Sequence, residues 1–129
     1  MKDSAIPLIA IVDDDQSIRE ALASLIEAFG FEAELFSSAE EFLSSFHLDH
    51  SDCLVLDIRM HGMSGLDLQS ELAERNRYVP IIFLTAHGNK YQEKQALRAG
   101  AAAFLRKPFS AVQMLRILSS TLNRQDIDH

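Results

Sequence analysis

Three short, uninterrupted apolar runs constrain the fold of this chain more than any other feature of its sequence. They are LIAIV (8–12), CLVL (53–56) and IIFL (81–84). Because successive side chains of a strand point to opposite faces of a sheet, a strand that is apolar throughout must be covered on both faces. Such strands are typical of parallel sheets that lie between two layers of helices. EAEL (32–35) and AAFL (102–105) are weaker candidates for two further strands.

Helical patterns fill the intervals between these runs. After the first run, apolar residues recur at helical spacing before a glycine that can end a helix: Ile18, Leu22, Leu25, Phe29 and Gly30. Residues 89–99 have the pattern of another helix, which ends at Gly100. Three further helices are predicted to begin at serines that are spaced as in a capping box: Ser38 with Glu41, Ser64 with Asp67, and Ser110 with Gln113.

The last of these helices has a candidate surface residue. Leu115, Leu118 and Leu122 are predicted to form its buried stripe, which leaves Ile117 on an exposed face. An exposed isoleucine at this position is a candidate contact with a partner protein.

The alternation of strands and helices predicts an α/β fold. A strand–helix order that repeats along the chain implies right-handed crossovers and an open parallel sheet. We predict a five-stranded parallel sheet in the flavodoxin-like order 2-1-3-4-5, with five helices distributed over both faces. The domain is expected to span residues 1–123, and residues 124–129 are expected to form a polar C-terminal tail.

Charge and cysteine content limit the classes of function. The formal net charge of −7 disfavours non-specific binding of nucleic acid or of a membrane, and it fits protein partners or a bound cation. The single cysteine, Cys53, cannot form an internal disulfide, which indicates a reducing compartment such as the cytoplasm. The N-terminal apolar run is broken by Pro7 and stopped by aspartates, so it predicts neither a signal peptide nor a membrane span.

Charged and polar residues follow four of the predicted strands. Asp13 and Asp14 follow the first, Asp57 the third and Thr85 the fourth, and Lys107 comes just after the fifth. The carboxyl ends of parallel strands meet at one edge of the sheet, and the order 2-1-3-4-5 makes the first and third strands neighbours. We therefore expect these side chains to meet in one pocket.

Clustered carboxylates repel one another and favour a bound cation. Two unit charges about 4 Å apart interact by roughly 4 kcal/mol at an effective dielectric constant near 20. A small number of oxygen ligands suits Mg²⁺. Beside such a cation the Asp57 carboxylate can attack phosphorus, while the Lys107 ammonium and the Thr85 hydroxyl bind phosphoryl oxygens. The pattern therefore predicts an aspartyl phosphate.

Each of these residues has a simpler interpretation when it is taken alone. Asp57 could be a turn residue, Thr85 an ordinary strand-end threonine, and Lys107 a solvated loop charge. Acids are also favoured at helix N-termini, and we prefer that interpretation for Asp15, as an N-cap. The convergence of the other residues on one edge of the sheet favours a functional site.

Four segments carry a resemblance to a known family: IVDDD (11–15), LVLDIRMHGMSG (54–65), PIIFLTAHG (80–88) and GAAAFLRKPF (100–109). Together they resemble the receiver domain of two-component response regulators over essentially the whole chain, and within that family the nitrogen-fixation and LuxR-type subfamily. The resemblance implies a phosphorylation-dependent signalling switch with a flavodoxin-like receiver fold and Mg²⁺ as cofactor. It also implies that a sensor histidine kinase or a phosphotransfer protein supplies the phosphoryl group.

The resemblance implies a role for each matching acid. Asp57 corresponds to the phosphoacceptor, Asp14 to the direct Mg²⁺ ligand, and Asp13 to a ligand that acts through water. The backbone carbonyl of Arg59 corresponds to the remaining protein ligand of the metal.

The resemblance also implies how the signal leaves the site. Thr85 and Lys107 correspond to residues that contact the phosphoryl group, and Phe104 matches the aromatic switch position that moves together with Thr85. The Lys107–Pro108 bond is expected to be cis. The affected surface is formed by the fourth helix, fifth strand and fifth helix, through which we expect a phosphorylation-dependent homodimer.

One position departs from the family pattern. His61 stands where the family usually has a proline, so we expect a less rigid turn after the third strand, and His61 and His87 are expected to border the pocket.

The subfamily usually continues into a DNA-binding helix-turn-helix domain. Control of transcription is therefore expected if the chain is part of a longer regulator. The alternative is a stand-alone receiver that acts by protein–protein interaction or as a phosphate sink.

Two other classes of protein use or resemble such a site. Hydrolases of the haloacid dehalogenase type carry a second acid two residues after an aspartyl nucleophile, and here that position is Arg59. A degenerate receiver would be an interaction module that is never phosphorylated, and the complete set of site residues argues against it. We expect no enzyme activity apart from catalysis of the protein's own phosphorylation and dephosphorylation.

Overall fold

The computed structural model of the chain describes residues 6–86 and 88–127, with the backbone alone for 46, 47 and 124–127. Its centre is a parallel sheet in the order β2-β1-β3-β4-β5, which confirms the predicted topology. The strands begin where the apolar runs begin, or one residue later for β5: β1 Leu8–Val12, β2 Glu32–Phe36, β3 Cys53–Leu56, β4 Ile81–Thr85 and β5 Ala103–Arg106.

Helices connect the strands and cover both faces of the sheet. In the described part of the chain they are α1 Gln16–Ala28, α2 Ala39–Leu43, α3 Gly65–Glu74, α4 Lys90–Arg98 and α5 Ala111–Ile127, with a short 3₁₀ helix at Phe46–Asp49. Because α5 continues to Ile127, residues 124–127 of the predicted tail are helical, and 128–129 lie outside the described residues.

The predicted cap residues accept hydrogen bonds from backbone N–H groups at the N-termini of these helices. Asp15 caps α1 by accepting from the Ile18 N–H, as predicted. The capping box at Ser64 is complete. At Ser38 the box is half formed, because the Glu41 carboxylate accepts from the Ser37 N–H instead of the Ser38 N–H.

The core has two layers, one on each face of the sheet. On one face, alternate strand residues such as Val12 and Phe83 pack with α2, α3 and α4. On the other, their neighbours such as Ile11 and Leu84 pack with α1 and α5. Cys53 is a core residue of this second layer, and burial raises the pKa of its thiol to about 12. The thiol is therefore inert.

The predicted buried stripe of α5 is wrong at Leu115, whereas Leu118 is buried and Leu122 packs against the core. Met114, Leu118 and Thr121 are buried, Ile117 packs against the core cluster that contains Met114 and Leu118, and Leu115 is 38% exposed. The stripe is therefore rotated by about one residue position, which moves Leu115 to the surface and Ile117 toward the core. Leu118 belongs to both possible stripes, so a leucine pattern alone did not distinguish them.

Candidate functional site

The sheet places two acids side by side at its carboxyl edge. Val12, the last residue of β1, pairs with Leu56, the last residue of β3. Asp13 and Asp57 follow these two residues, and the Asp57 N–H donates to the Val12 carbonyl at 3.1 Å. Parallel pairing of two buried strands is therefore enough to bring the two carboxylates together.

Asp14 completes an acidic cluster with these two residues. One carboxylate oxygen from each of Asp13, Asp14 and Asp57 lies within 4.8 Å of the others. Asp13 is 3% and Asp57 7% exposed, whereas Asp14 is open to solvent. The cluster therefore has two desolvated acids beneath one accessible acid.

Lys107 contacts both buried acids of the cluster. Its Nζ atom lies 2.9 Å from Asp13 Oδ2 and 3.3 Å from Asp57 Oδ2. Its backbone N–H donates to the Thr85 carbonyl at 3.0 Å, which ties the loop after β5 to the end of β4. The Lys107–Pro108 peptide bond is cis.

The electrostatics of the pocket show a site short of positive charge. Burial raises the pKa of Asp13 above its ordinary value, and the Asp15 N–H and Lys107 offset only part of that effect. Burial acts to lower the pKa of Lys107, but its contacts with Asp13 and Asp57 outweigh burial and raise it. The lysine therefore stays charged, while ionised Asp13 remains costly.

The raised pKa of Asp13 predicts a pH dependence of stability. Below its ordinary value of 3.8 the protonated acid has no such cost, and stability is lost as the pH rises through the raised pKa of the folded state. Without metal, Asp13→Asn should therefore raise the melting temperature near neutral pH, by about 3 °C. The difference from wild type should disappear in acid, as followed by circular dichroism. A difference that stays constant with pH would contradict this origin.

The β4–α4 connection brings together the residues that the resemblance links to switching. Thr85 is fully buried at the end of β4, and the Phe104 ring on β5 lies 6.0 Å from that of Phe83. A Cβ atom on Gly88 would lie 2.6 Å from the Phe104 ring and 2.7 Å from Thr85 Cγ2. The Gly88 backbone therefore packs against both side chains and leaves no room for a Cβ atom. The sequence analysis missed this role of Gly88.

Arg106 holds this connection from the edge strand. Its guanidinium donates to the Gly88 carbonyl and to Glu93 Oε1, and it lies 5.6 Å from the centre of the Phe104 ring. It thus contacts the loop, the helix α4 and the aromatic side chain together.

The β3–α3 loop folds tightly over Asp57. The Arg59 N–H donates to Asp57 Oδ1 at 3.3 Å, while the predicted role of the Arg59 carbonyl stays a prediction. A Cβ atom on Gly65 would lie 2.2 Å from the Asp57 carbonyl oxygen, so this position requires glycine. A glycine directly after the N-cap Ser64 was the available sequence signal for this close approach.

Two contacts of the same loop were not predicted. The His61 N–H and its Nδ1 atom lie 3.2 Å and 2.9 Å from Asp14 Oδ2. Glu40, at the start of α2, accepts from the Met63 N–H at 2.9 Å, and this bond lowers the pKa of the Glu40 carboxyl. The loop is therefore tethered at two points without the proline that the family usually has. The prediction for His87 lies outside the described residues.

The donor set fits a hard divalent cation. Three carboxylates supply oxygen ligands, and the raised pKa of Asp13 indicates that the single lysine does not compensate the buried charge. Asp13, Asp14 and Asp57 are the residues that would hold Mg²⁺.

The sequence matches known proteins of one family. The model of the response regulator receiver domain family matches residues 9–119. The response regulator protein TodT of Pseudomonas putida is 42% identical over 122 residues, which cover 95% of this chain and 53% of TodT. The transcriptional regulatory protein FixJ of Azorhizobium caulinodans is 36% identical over 116 residues, covering 90% of this chain and 55% of FixJ. The chain thus spans about half the length of these relatives.

The fold also matches a solved receiver domain. The response regulator receiver domain protein of Clostridium thermocellum superposes with a TM-score of 0.89 at 28% identity, covering 96% of this chain and all of that one. Within the described ranges, no helix combines the length and the apolar character needed to cross a membrane.

Proposed function

The chain belongs to the response regulator receiver domain family of two-component signalling, and from this premise we propose that it is a phosphorylation-dependent switch whose phosphoacceptor is Asp57. The donor is the phosphohistidine of a sensor histidine kinase or of a phosphotransfer protein. Receivers are signalling switches rather than classical enzymes, and we propose that this one catalyses its own phosphorylation and dephosphorylation in the cytoplasm.

One observation carries the proposal. Lys107 bridges Asp13 and Asp57 at 2.9 Å and 3.3 Å at the sheet's carboxyl edge, although the three residues are far apart in the sequence. A structural ion pair would need only one acid, and it would gain little from a third acid, Asp14, on the solvent side. A pocket that binds a cation and an anionic group together accounts for the lysine and for all three acids.

The side chains divide the chemistry between them. An oxygen of the Asp57 carboxylate forms a bond to phosphorus as the phosphorus–nitrogen bond of the donor breaks, and the leaving imidazole takes up a proton. The Arg59 N–H holds Asp57 Oδ1, and Lys107 stands beside Oδ2, where its ammonium can pair with a phosphoryl oxygen. Asp13, Asp14 and Asp57 would hold Mg²⁺, which would neutralise charge on the transferring group. Asp13 and Asp14 act through that charge and not as nucleophiles.

The proposal is tested by phosphorylation of the purified chain. After incubation with acetyl phosphate and Mg²⁺, intact mass should show the addition of a single phosphoryl group. Replacing Mg²⁺ with a chelator should prevent the addition. A phosphoryl adduct that forms equally well in the chelator would contradict the proposed role of the acids.

We propose that the signal leaves through Thr85, Gly88 and Phe104. The Thr85 hydroxyl is positioned at the end of β4, and its movement toward a phosphoryl group would free space beside Gly88 for the Phe104 ring. Arg106 touches that ring and the loop, so the edge strand β5 would sense the change.

Exposed apolar residues of α5 support the proposal that the activated protein forms a homodimer. Val112 and Leu115 of α5 are 63% and 38% exposed, and they replace Ile117 as the candidate contacts. Leu115→Asp should therefore weaken a dimer that is induced by the phosphoryl mimic beryllium fluoride, by about tenfold or more. Leu35→Asp is a matched control, because Leu35 is 39% exposed on β2 at the opposite edge of the sheet.

Sedimentation with and without the mimic measures this effect. A protein that stays monomeric when activated would contradict the dimer and would favour a receiver that binds another partner or drains phosphate from a kinase. Control of transcription is proposed only for a longer regulator that contains this domain, as the name of FixJ suggests for that relative.

A further inference from the structure

Asp14 is held differently from the other two acids of the cluster. Asp13 and Asp57 are buried and contact Lys107. Both contacts described for the Asp14 side chain come instead from His61, whose N–H and Nδ1 lie 3.2 Å and 2.9 Å from the same oxygen, Oδ2. His61 therefore provides two donors to the most accessible acid.

The chemistry of the pair fixes the direction of these bonds. A carboxylate oxygen accepts, so in this contact the imidazole donates from Nδ1. Oδ2 of Asp14 accepts both hydrogen bonds, so Oδ1 of Asp14 remains available to bind a cation. The Asp14 side chain is 30% exposed and would otherwise rotate, which a metal ion would have to restrict upon binding.

The loop places His61 accurately although its side chain is fully exposed. The Glu40 carboxylate accepts from the Met63 N–H, two residues further on. Gly62 between them has φ of +78°, and a Cβ atom there would lie 2.7 Å from Glu40 Oε2. Glycine suits this positive φ, and the hydrogen bond from Met63 to Glu40 anchors the loop next to His61.

We propose that His61 is a positioning residue that orients the Asp14 carboxylate for a divalent cation. The inference rests on the proposed function, because it assumes that Asp14 is a metal ligand. Hydrogen-bond partners of ligating carboxylates typically contribute about 10–100-fold to metal affinity. We expect about tenfold here, because an exposed side chain competes with water.

Two amide variants of His61 distinguish the orientation of the Asp14 carboxylate from an effect on the conformation of the β3–α3 loop. The side-chain nitrogen of Asn lies the same number of bonds from Cα as Nδ1 of His, whereas that of Gln lies one bond further, like Nε2. His61→Asn should therefore retain the donor to Asp14, and His61→Gln and His61→Ala should lose it. All three keep the backbone N–H and a fully exposed position, so none should unfold the protein.

Titration calorimetry with Mg²⁺ and the rise of the melting temperature with Mg²⁺ provide the measurements. We expect the dissociation constant to increase about tenfold in His61→Gln and His61→Ala, and to stay within about twofold of wild type in His61→Asn. Equal or tighter binding by the Ala and Gln variants, or a loss in Asn as large as in Gln, would overturn the inference.

The wild-type protein separates this inference from the proposed function. If wild type binds Mg²⁺ and becomes phosphorylated while all His61 variants match it, the inference alone fails. If wild type binds no Mg²⁺, both fail, because there is no cation for Asp14 to receive.

Discussion

Replacing Asp57 with asparagine should abolish stable phosphorylation of the protein. The amide is close in shape to the carboxylate and keeps one of its two oxygens, and Lys107 keeps Asp13 as a partner, so the pocket is largely preserved. It is not a nucleophile toward phosphorus, and it forms no acyl phosphate. We expect a loss of at least about 10³-fold in the phosphorylated fraction under conditions that phosphorylate the wild type completely.

A matched control removes the same charge next to the site. Asp15→Asn changes an exposed acid to an amide, and asparagine caps a helix as well as aspartate does, so α1 should be unaffected. This variant should be phosphorylated like wild type. If Asp57→Asn instead gained a stable phosphoryl mass, the phosphoacceptor would be a different residue.

Much of the fold follows from burial that the sequence records directly. LIAIV and CLVL became β1 and β3 without a shift in their bounds, because a strand that is covered on both faces is apolar at every position. The weaker run at 102–105 was displaced by one residue, since β5 is an edge strand with less complete burial. The half-buried helix α5 was harder, because more than one apolar stripe could be drawn through it and Leu118 belonged to both.

The candidate site also has a part that the sequence predicts and a part that it does not. The meeting of Asp13, Asp57 and Lys107 depends only on strand order and on the ends of strands, and both could be predicted. The contact between His61 and Asp14 depends on the path of a loop, which no periodicity records. The close approaches at Gly65 and Gly88 likewise need coordinates, because a glycine in a sequence does not show what lies next to it.

Replacing Lys107 with methionine should slow phosphorylation and also destabilise the metal-free protein. Methionine keeps the unbranched shape and removes the charge. If Lys107 stabilises the transferring phosphoryl group as proposed, its loss should lower the rate of phosphorylation about 10²–10³-fold. Asp13 and Asp57, which are 3% and 7% exposed, would lose their cation. Breaking a buried pair costs about 3–5 kcal/mol, and we expect about 2 kcal/mol here because the pocket opens to water.

Mg²⁺ should separate the two consequences of this substitution. A divalent cation replaces the lost charge among the acids, so Mg²⁺ should raise the melting temperature of Lys107→Met more than that of wild type. It should not restore the rate, because the phosphoryl oxygen that Lys107 is proposed to bind would still lack its partner. Lys94→Met removes an exposed lysine of α4 and should change neither quantity. A Lys107→Met protein with normal stability would contradict the buried pair, and one with a normal rate would remove Lys107 from the chemistry.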